Sequence, residues 1–439
     1  MSKINVLMGR IDRRDYQISV IGLGYVGLPL ALAFSKRGFP VLGIDVDRHK
    51  VDKVNRRISY LSHVPSSRFD ECTAPFKATT DFEELRFADA ILICVPTPLD
   101  HHQQPDMQYV EATVDEVKRW LRSDQLIVLE STTYPGTTDE FIQPFLRNQD
   151  IRLGRPTSFY LAYSPEREDP GNTQFSTTTT PKLVGGVDPD STELAAHLYG
   201  TIAPVVRVAN SRVAEAAKLT ENIFRAVNIA LVNELKIVFD KMGIDVWQVL
   251  DAAATKPFGF MRFNPGPGWG GHCIPVDPFY LSWKARAYGV TPKFIELAGE
   301  INIRMHEYVV GKLVEGLNAQ GKALRDAKVL ILGVAYKANV DDCRESPAFP
   351  IMAMIVKLGG SVRYHDPLVS RIPHLRDWPA FVGAESDPLD EAVLRGSDAV
   401  LVVTAHSAVD YEMVGKYASL IVDSRGVFKP EQTSQLVRA

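Results

Sequence analysis

Short apolar runs, separated by glycine turns and helical stretches, set the pattern of this chain. Residues 17–21 (QISVI) form a run ending at Gly22, residues 28–37 read as a helix, and 40–44 (PVLGI) is a second run closed by Asp45. That order of strand, glycine turn, helix, strand and acid predicts a βαβ unit. Further buried-strand candidates follow at 89–95 (DAILICV), at 125–129 (QLIVL) and near 159–163. Strands alternating with helical stretches predict a parallel sheet. The polar, Thr-rich stretch 170–181 (PGNTQFSTTTTP) reads as a surface loop.

From about 211 to 243 the period changes. Ala214, Ala217, Leu219, Ile223, Val227, Leu231, Leu235 and Val238 recur at three- and four-residue spacing, without proline, until Gly243. This predicts one helix of about nine turns, a length suited to a domain connector or an oligomer interface. A second helical stretch covers roughly 293–319. Alternation then resumes, with strands predicted at 329–333, 361–366, 399–403 and 420–423 and a helix at 347–358. The chain therefore reads α/β, helical middle, α/β, with no shorter internal repeat.

Composition narrows the class. At ~150 residues per domain, 439 residues make about three domains. With 49 basic and 53 acidic residues and net charge −4, there is no basic field of the kind that nucleic acid or an anionic membrane attracts. Four cysteines, at 72, 94, 273 and 343, make neither a disulfide framework nor a zinc-type pair, and no metal site is expected. No apolar run approaches the ~18 residues that span a bilayer. The N-terminal residues hold no secretory h-region. A soluble, cytoplasmic protein in a reducing compartment is the expectation.

Gly22-Leu23-Gly24-Tyr25-Val26-Gly27 has the GxGxxG form between a strand and a helix, with Asp45 closing the next strand. Gly22 permits the tight turn, Gly24 lets a pyrophosphate approach the backbone, and Gly27 allows close packing of helix on strand. The helix N-terminus favours phosphate. Asp45 accepts from a ribose 2′-OH and repels a 2′-phosphate, which favours NAD over NADP, with Arg48 as the one nearby counter-indication. In the last third, Gly333 follows a strand without a GxGxxG string, and Asp366 ends the next one. This predicts a nucleotide-like ligand without the pyrophosphate turn.

The segment 264–278 (NPGPGWGGHCIPVDP) cannot form regular structure and shapes a loop around Cys273, with Asp277 four residues on. A thiol in such a loop is a candidate nucleophile. Cys72, Cys94 and Cys343 read as buried structural residues, and His272 as structural. On the long helix, Lys218 and Asn222 stand at i, i+4 and share a face. An ammonium beside an amide NH2 suits an alkoxide or tetrahedral oxyanion, although a solvated lysine near an exposed amide is the commoner arrangement. Glu130-Ser131-Thr132-Thr133 and Glu166 lie at strand C-termini, where parallel sheets place ligands. Ordinary helix capping competes as the role of Thr132 and Thr133.

Together these segments resemble the nucleotide-sugar 6-dehydrogenases of the UDP-glucose/GDP-mannose dehydrogenase family. The matching strings are GLGYVGLPLA at 22–31, ICVPTP at 93–98, ESTTYPGTT at 130–138, SPE at 164–166, KLTEN at 218–222, GGHCIPVD at 270–277 and CRESP at 343–347. They stand in the family's order and span nearly the whole chain. The resemblance implies two Rossmann-like parallel-sheet domains joined by a central helical dimerisation domain. These are an NAD-binding domain over 1–205, a central domain with the Cys loop over 206–320, and a UDP-binding domain over 321–439.

It further implies that a primary alcohol at sugar C6 becomes a carboxylate at the expense of two NAD. Cys273 attacks the C6 aldehyde to give a thiohemiacetal, then a thioester that water hydrolyses. Lys218 and Asn222 hold the C6 oxygen, while Thr132, Glu166 and Asp277 position and activate water. Tyr25, Val26, Thr97, Thr132 and Arg344 join Gly22, Gly24, Gly27 and Asp45 as implied cofactor contacts. Arg167, Gly270, Lys337 and Arg425 join Glu166, Lys218 and Asn222 as implied substrate contacts.

The chain departs from the UDP-glucose pattern in three places. Val276 stands where a lysine usually precedes the loop aspartate. Arg167-Glu168-Asp169-Pro170 replaces Phe-Leu after the SPE glutamate. Pro257, with Lys256 and Arg262 nearby, occupies the usual place of an arginine upstream of the glycine loop. The stretch 255–285 looks most like bacterial UDP-N-acetylglucosamine 6-dehydrogenases of O-antigen lipopolysaccharide pathways. UDP-glucose, UDP-GalNAc and UDP-ManNAc remain alternative substrates. Two other classes also stay in view: a catalytically silent NAD- or sugar-nucleotide-binding protein, and a single-step dehydrogenase of the hydroxyacid or 6-phosphogluconate type. The first leaves the thiol loop without a purpose, and the second leaves Cys273 and the third domain unexplained.

Overall fold

The computed structural model describes residues 2–61, 63–100, 102–147, 158–167, 178–271, 274–375, 377–429, 433 and 435–439. They fall into two compact units, Met1–Glu221 with Phe279–Val290, and Asn222–Pro278 with Thr291–Ala439. Most of the Thr-rich loop expected at 170–181 lies outside the described residues.

The first unit is built on strands β1 (Ile18–Ile21), β2 (Val41–Ile44), β3 (Phe76–Thr79), β4 (Ala90–Ile93), β5 (Leu126–Leu129), β6 (Tyr160–Tyr163), β7 (Lys182–Gly186) and β8 (Val205–Arg207). Their order in the sheet is 3-2-1-4-5-6-7-8. Neighbours run parallel except β6 and β7, which are antiparallel. Strands β1, β4 and β5 are buried at every position, because helices cover both faces of such a sheet. That is why they read as unbroken apolar runs. The order reverses between β1 and β4, and the crevice at their C-terminal ends is where doubly wound sheets take ligands.

A helix not expected from the sequence, Lys3–Asp12, buries only Leu7 and Ile11. Arg10 on this helix forks onto Asp89 at the head of β4, at 2.9 and 2.7 Å. Burial raises the Asp89 carboxyl, but Arg10, the Gln17 amide and Arg122 outweigh it and hold the group below the usual carboxylate range.

The long helix is continuous over Ser211–Lys241, in agreement with its periodicity, and runs from the first unit into the second. Phe224, Leu231 and Val238 repeat at i, i+7 on it and are all about half exposed. Among the described residues, no helix is long and apolar enough to cross a membrane.

The second unit holds helices Val246–Ala254 and Lys293–Ala319. Its sheet is made of β9 (Lys328–Leu332), β10 (Ser361–His365), β11 (Ala399–Val402), β12 (Ile421–Asp423) and β13 (Leu436–Arg438). All neighbours are parallel, in the order 10-9-11-12-13. Ile331 and Leu401, paired across β9 and β11, belong to its core.

Ile331→Ala should therefore lower stability by about 2–5 kcal/mol, through lost burial plus the cavity left behind. Val356→Ala, on the exposed side of the neighbouring helix, should stay within about 0.5 kcal/mol. Urea unfolding of the two variants beside the parent checks both values.

Candidate active site

The three glycines of the first turn have separate physical reasons to be glycine. Gly22 has φ +89°, and a Cβ there would meet the Cys94 carbonyl oxygen at 2.7 Å. At Gly27 it would lie 1.9 Å from the Gly22 oxygen, so helix and turn touch backbone to backbone. At Gly24 it would meet nothing within 4 Å, which leaves that peptide open to a ligand. Helix Gly27–Lys36 begins at Val26 with no side-chain cap and no acid in its first turn. Leu28 N donates to the Gly24 carbonyl at 3.1 Å and Pro29 has no N–H, so the amides of Val26 and Gly27 are the ones suited to phosphate oxygens.

The Asp45 carboxylate accepts from the amides of Leu23 at 2.8 Å and Asp47 at 2.9 Å, and from Lys50 Nζ at 3.3 Å. It thus fixes the turn in addition to the ribose role expected of it. Tyr60 donates to the Leu23 carbonyl, and Tyr25 stacks on His63 with centroids 4.9 Å apart. An open glycine, uncapped amides and an acid at the next strand end fit a dinucleotide.

Beyond β4 and β5, Thr97 Oγ1 donates to the Thr132 carbonyl at 2.8 Å, joining two of the expected cofactor contacts. The segment after Thr132 hangs on Glu215 of the long helix. This carboxylate accepts from Gly136 N at 2.7 Å, Thr138 N at 2.9 Å and Thr138 Oγ1 at 2.6 Å. Burial pushes its pKa up to about 7, against the three donors.

Glu166 does not stand alone at the end of β6. Its carboxylate accepts from its neighbour's amide, Arg167 N, at 2.7 Å and faces Lys182 Nζ at 3.3 Å. Lys182 in turn lies 2.8 Å from Glu130. Arg167 reaches Glu221 and the Pro181 carbonyl.

Lys218 is buried on the long helix and makes no hydrogen bond or ion pair to a described residue. One turn on, Asn222 donates its amide to Asp277 at the start of helix Asp277–Arg286, and both side chains are buried. Cys273 and His272 lie outside the described residues.

The loop leading to them is held on every side within the second unit. Asn302 accepts from Asn233 at 2.8 Å, and Asn233 accepts from the Gly266 amide at 2.9 Å. At Gly266 a Cβ would meet the Arg425 guanidinium at 2.5 Å, and at Gly268 the His306 ring at 2.7 Å. Burial pushes the His306 pKa down to about 4, so the ring is neutral. Arg425, expected near phosphate, donates Nε to the Val403 carbonyl at 2.6 Å. Gly270 and Gly271 rest against Glu345, Pro347 and Tyr336. The segments carrying Lys337 and Arg344 thereby come beside the loop. The Arg344 side chain is half exposed and forks onto Asp342.

The second glycine turn is built like the first. Gly333 has φ +82°, and Asp366 accepts from Val334, Ala335, Leu368 and Val369 amides. His406 Nδ1 accepts from the Asn339 amide, so Nε2 carries the proton and faces Asp366 at 3.1 Å. Burial raises the thiols of Cys94 and Cys343, the latter to about 12, as structural cysteines require.

Three models of one family match in succession: the NAD binding domain of the UDP-glucose/GDP-mannose dehydrogenases over residues 16–203, their central domain over 212–304, and their UDP binding domain over 330–430. The chain belongs to the UDP-glucose/GDP-mannose dehydrogenase family. It is a nucleotide-sugar dehydrogenase and binds NAD.

A UDP-N-acetyl-D-glucosamine 6-dehydrogenase of Pseudomonas aeruginosa is 34% identical, over 90% of this chain and 91% of its own length. An NDP-N-acetyl-D-galactosaminuronic acid dehydrogenase of Ralstonia nicotianae is 33% identical over 96% and 98%. Among solved structures, a UDP-D-ManNAc dehydrogenase of Pyrococcus horikoshii superposes with TM-score 0.82 at 32% identity, covering 94% of this chain and 96% of that one.

In this dehydrogenase, Glu215, Lys182, Glu130 and Tyr199 are among the buried polar residues that sequence reasoning did not pair. Glu215 had a usable signal, a glutamate one turn before Lys218 on an otherwise apolar face. Lys182 had none, because its partners depend on strand register.

Two outcomes follow for this unit. Gly24→Val should leave the melting temperature nearly unchanged, yet weaken NAD at least tenfold, about 1.4 kcal/mol, whereas Gly27→Val should fail to fold. Calorimetric titration with NAD and thermal unfolding check the pair. Glu215 in the folded chain holds a proton at pH values where the unfolded chain has lost it. Its contribution to stability is therefore full below the usual carboxylate pKa and falls as pH rises toward about 7. Glu215→Gln should abolish that part of the slope, so melting curves of parent and variant diverge with pH over this window.

Proposed function

We propose that this dehydrogenase oxidises UDP-N-acetyl-D-glucosamine at C6 to UDP-N-acetyl-D-glucosaminuronate, with Cys273 carrying a thiohemiacetal and then a thioester. The observation that most supports this chemistry is Lys218. It is a buried ammonium that meets no acceptor among the described residues, one turn from an amide held by Asp277. A cation left unpaired in the resting protein favours an oxygen that gains negative charge during reaction.

In this reading Gly22, Gly24, Gly27 and the amides at Val26 hold the pyrophosphate, and Asp45 the ribose. NAD, when bound there, accepts hydride in both oxidation steps. Lys218 and Asn222 hold the C6 oxygen and stabilise its charge as the alcohol, the aldehyde adduct and the hydrolytic intermediate react. Asn222 is oriented by its hydrogen bond to Asp277. Thr132, Glu166 and Asp277 place and deprotonate the water that opens the thioester. Arg167, Gly270, Lys337 and Arg425 contact the sugar nucleotide, and Thr97 and Arg344 the cofactor. The thiol must stay reduced, which agrees with a cytoplasmic setting.

The functional division is an NAD domain over 1–205, a central domain over 206–320 and a UDP domain over 321–439. The half-exposed Phe224, Leu231 and Val238 on the long helix support a homodimer through the central domain. The product is a precursor of the lipopolysaccharide O-antigen type. For the sugar, similarity to the Pseudomonas aeruginosa enzyme and the 255–285 stretch support the N-acetylglucosamine epimer. The ManNAc enzyme that superposes at TM-score 0.82 favours UDP-ManNAc as the second reading.

Incubation with NAD and a panel of UDP sugars decides between these. Two NADH should form per UDP-GlcNAc consumed, with slower turnover of the epimers, and Cys273→Ala should form no acid. Faster turnover of UDP-ManNAc would select the second reading. One NADH with free aldehyde, or undiminished acid from Cys273→Ala, would reject the thioester.

A further inference from the structure

The inference concerns the buried charges behind Glu166 and rests on the reading of Glu166 as the carboxylate that activates water. The first sheet has one antiparallel pair, β6 with β7, in register Ala162↔Gly186 and Tyr163↔Gly185. Continued past Tyr163, that register sets Glu166 opposite Lys182. A parallel strand would have put the start of β7 at the opposite end of the sheet, beside the start of β6. Lys182 Nζ then lies 3.3 Å from Glu166 and 2.8 Å from Glu130, which closes β5. Their side chains are 3%, 12% and 0% exposed, in that order.

Further described groups surround the pair. Tyr199, from helix Pro189–Tyr199, donates to the second oxygen of Glu130. Its ring lies 5.1 Å from the Lys182 ammonium. The Cys94 thiol beside Glu130 is kept protonated by burial. Arg167 points its guanidinium to Glu221 and Pro181 and offers Glu166 only its backbone amide. Glu166 is therefore the most exposed member of a buried carboxylate–ammonium–carboxylate row. Burial raises Glu130 above the ordinary carboxylate range even with Lys182 beside it.

We propose that Lys182 is the positioning residue for Glu166: it ties one carboxylate oxygen to the Glu130 anchor and leaves the group aimed at water. In the hydrolytic step a proton of that water passes to Glu166 as its oxygen bonds to the thioester carbon. The C–S bond then breaks with its electron pair on Cys273 sulfur. Lys182 itself touches no substrate. A carboxylate released from this tie loses the alignment on which such transfers depend, and displacement by ~1 Å can cost about 10²-fold.

Stopped-flow NADH formation with UDP-GlcNAc, or with the best substrate of the panel, tests this across pH. Lys182→Met should form NADH for both oxidations in a fast burst and then turn over about 10²-fold more slowly. The acid limb of its steady-state profile should move to higher pH, since a cation has left the side of the base. Lys182→Arg should recover most of the rate. Glu130→Gln removes the competing anion and should move the limb the opposite way, to lower pH. It decides the matter if Lys182→Met does not fold. A Lys182→Met enzyme with unchanged rate, or a slow one whose limb stays in place, overturns the proposal, as does an unmoved limb in Glu130→Gln. Glu166→Gln separates the two levels. If it hydrolyses normally, the role of Glu166 fails and the proposal falls with it. If it stalls after the burst while the Lys182 and Glu130 variants leave the limb unmoved, only the positioning role fails.

Discussion

The cofactor unit depends on how closely one helix approaches one turn. With the Gly27 Cα carbon so near the Gly22 carbonyl that a methyl group would stand 1.9 Å from its oxygen, helix Gly27–Lys36 can start only directly beyond β1. The amides of Val26 and Gly27 then stand at the crevice where the strand order reverses. The intervening peptide is held at both ends, its Leu23 amide by Asp45 and its Leu23 carbonyl by Tyr60. What stays unoccupied is the space over Gly24. On the proposed assignment of the pyrophosphate to this turn, phosphate binding is a consequence of backbone packing and needs no charged side chain.

The second unit repeats this device and uses it differently. Gly333 also sits against backbone, with a would-be Cβ 2.3 Å from the Thr404 oxygen, and Asp366 also pins the turn amides. A carboxylate offers about four acceptor positions. Asp45 accepts from three donors and keeps capacity for a ribose hydroxyl. Asp366 accepts from four amides and faces the protonated nitrogen of His406, so its capacity is spent on the fold. The same turn therefore keeps room for the proposed ribose hydroxyl in one unit and is a strut in the other. Any nucleotide on the second sheet must be recognised through other groups.

This difference explains what was legible in the sequence. Strands β1, β2, β4, β5, β6 and β9–β12 were visible as apolar runs or strand–turn patterns. By contrast, β3 buries only one of its four residues, β7 starts with a lysine and ends in two glycines, and β8 and β13 are three residues each. Edge strands and charged strands carry little periodic signal. The glycine string and the Lys218–Asn222 spacing were readable because their geometry is local. The Glu130–Lys182–Glu166 row was not, because it is created by the one antiparallel pairing in a sheet whose alternation announces parallel strands. Asp277 was visible as a candidate, but its hydrogen bond to Asn222 joins residues far apart in the chain.

Among its described residues the first unit buries two lysines, Lys182 and Lys218, under opposite conditions. Lys182 stands between two carboxylates. Their attraction outweighs its desolvation and holds the ammonium above its ordinary range. Two of its donors are committed, and moving it toward a substrate would take the cation away from two buried carboxylates, a cost of several kcal/mol. Lys218 is nearly as buried but meets no acceptor among the described residues. Burial without a partner is unfavourable for an ammonium, and the fold would be more stable with an apolar residue or a carboxylate nearby. A carboxylate placed there, however, would have to be displaced each time a substrate oxygen became charged, and the interaction would cancel from the barrier. In the proposed reaction, a lysine with no partner among the described residues keeps its full attraction for the reacting oxygen. The paired one is confined to holding other groups in place.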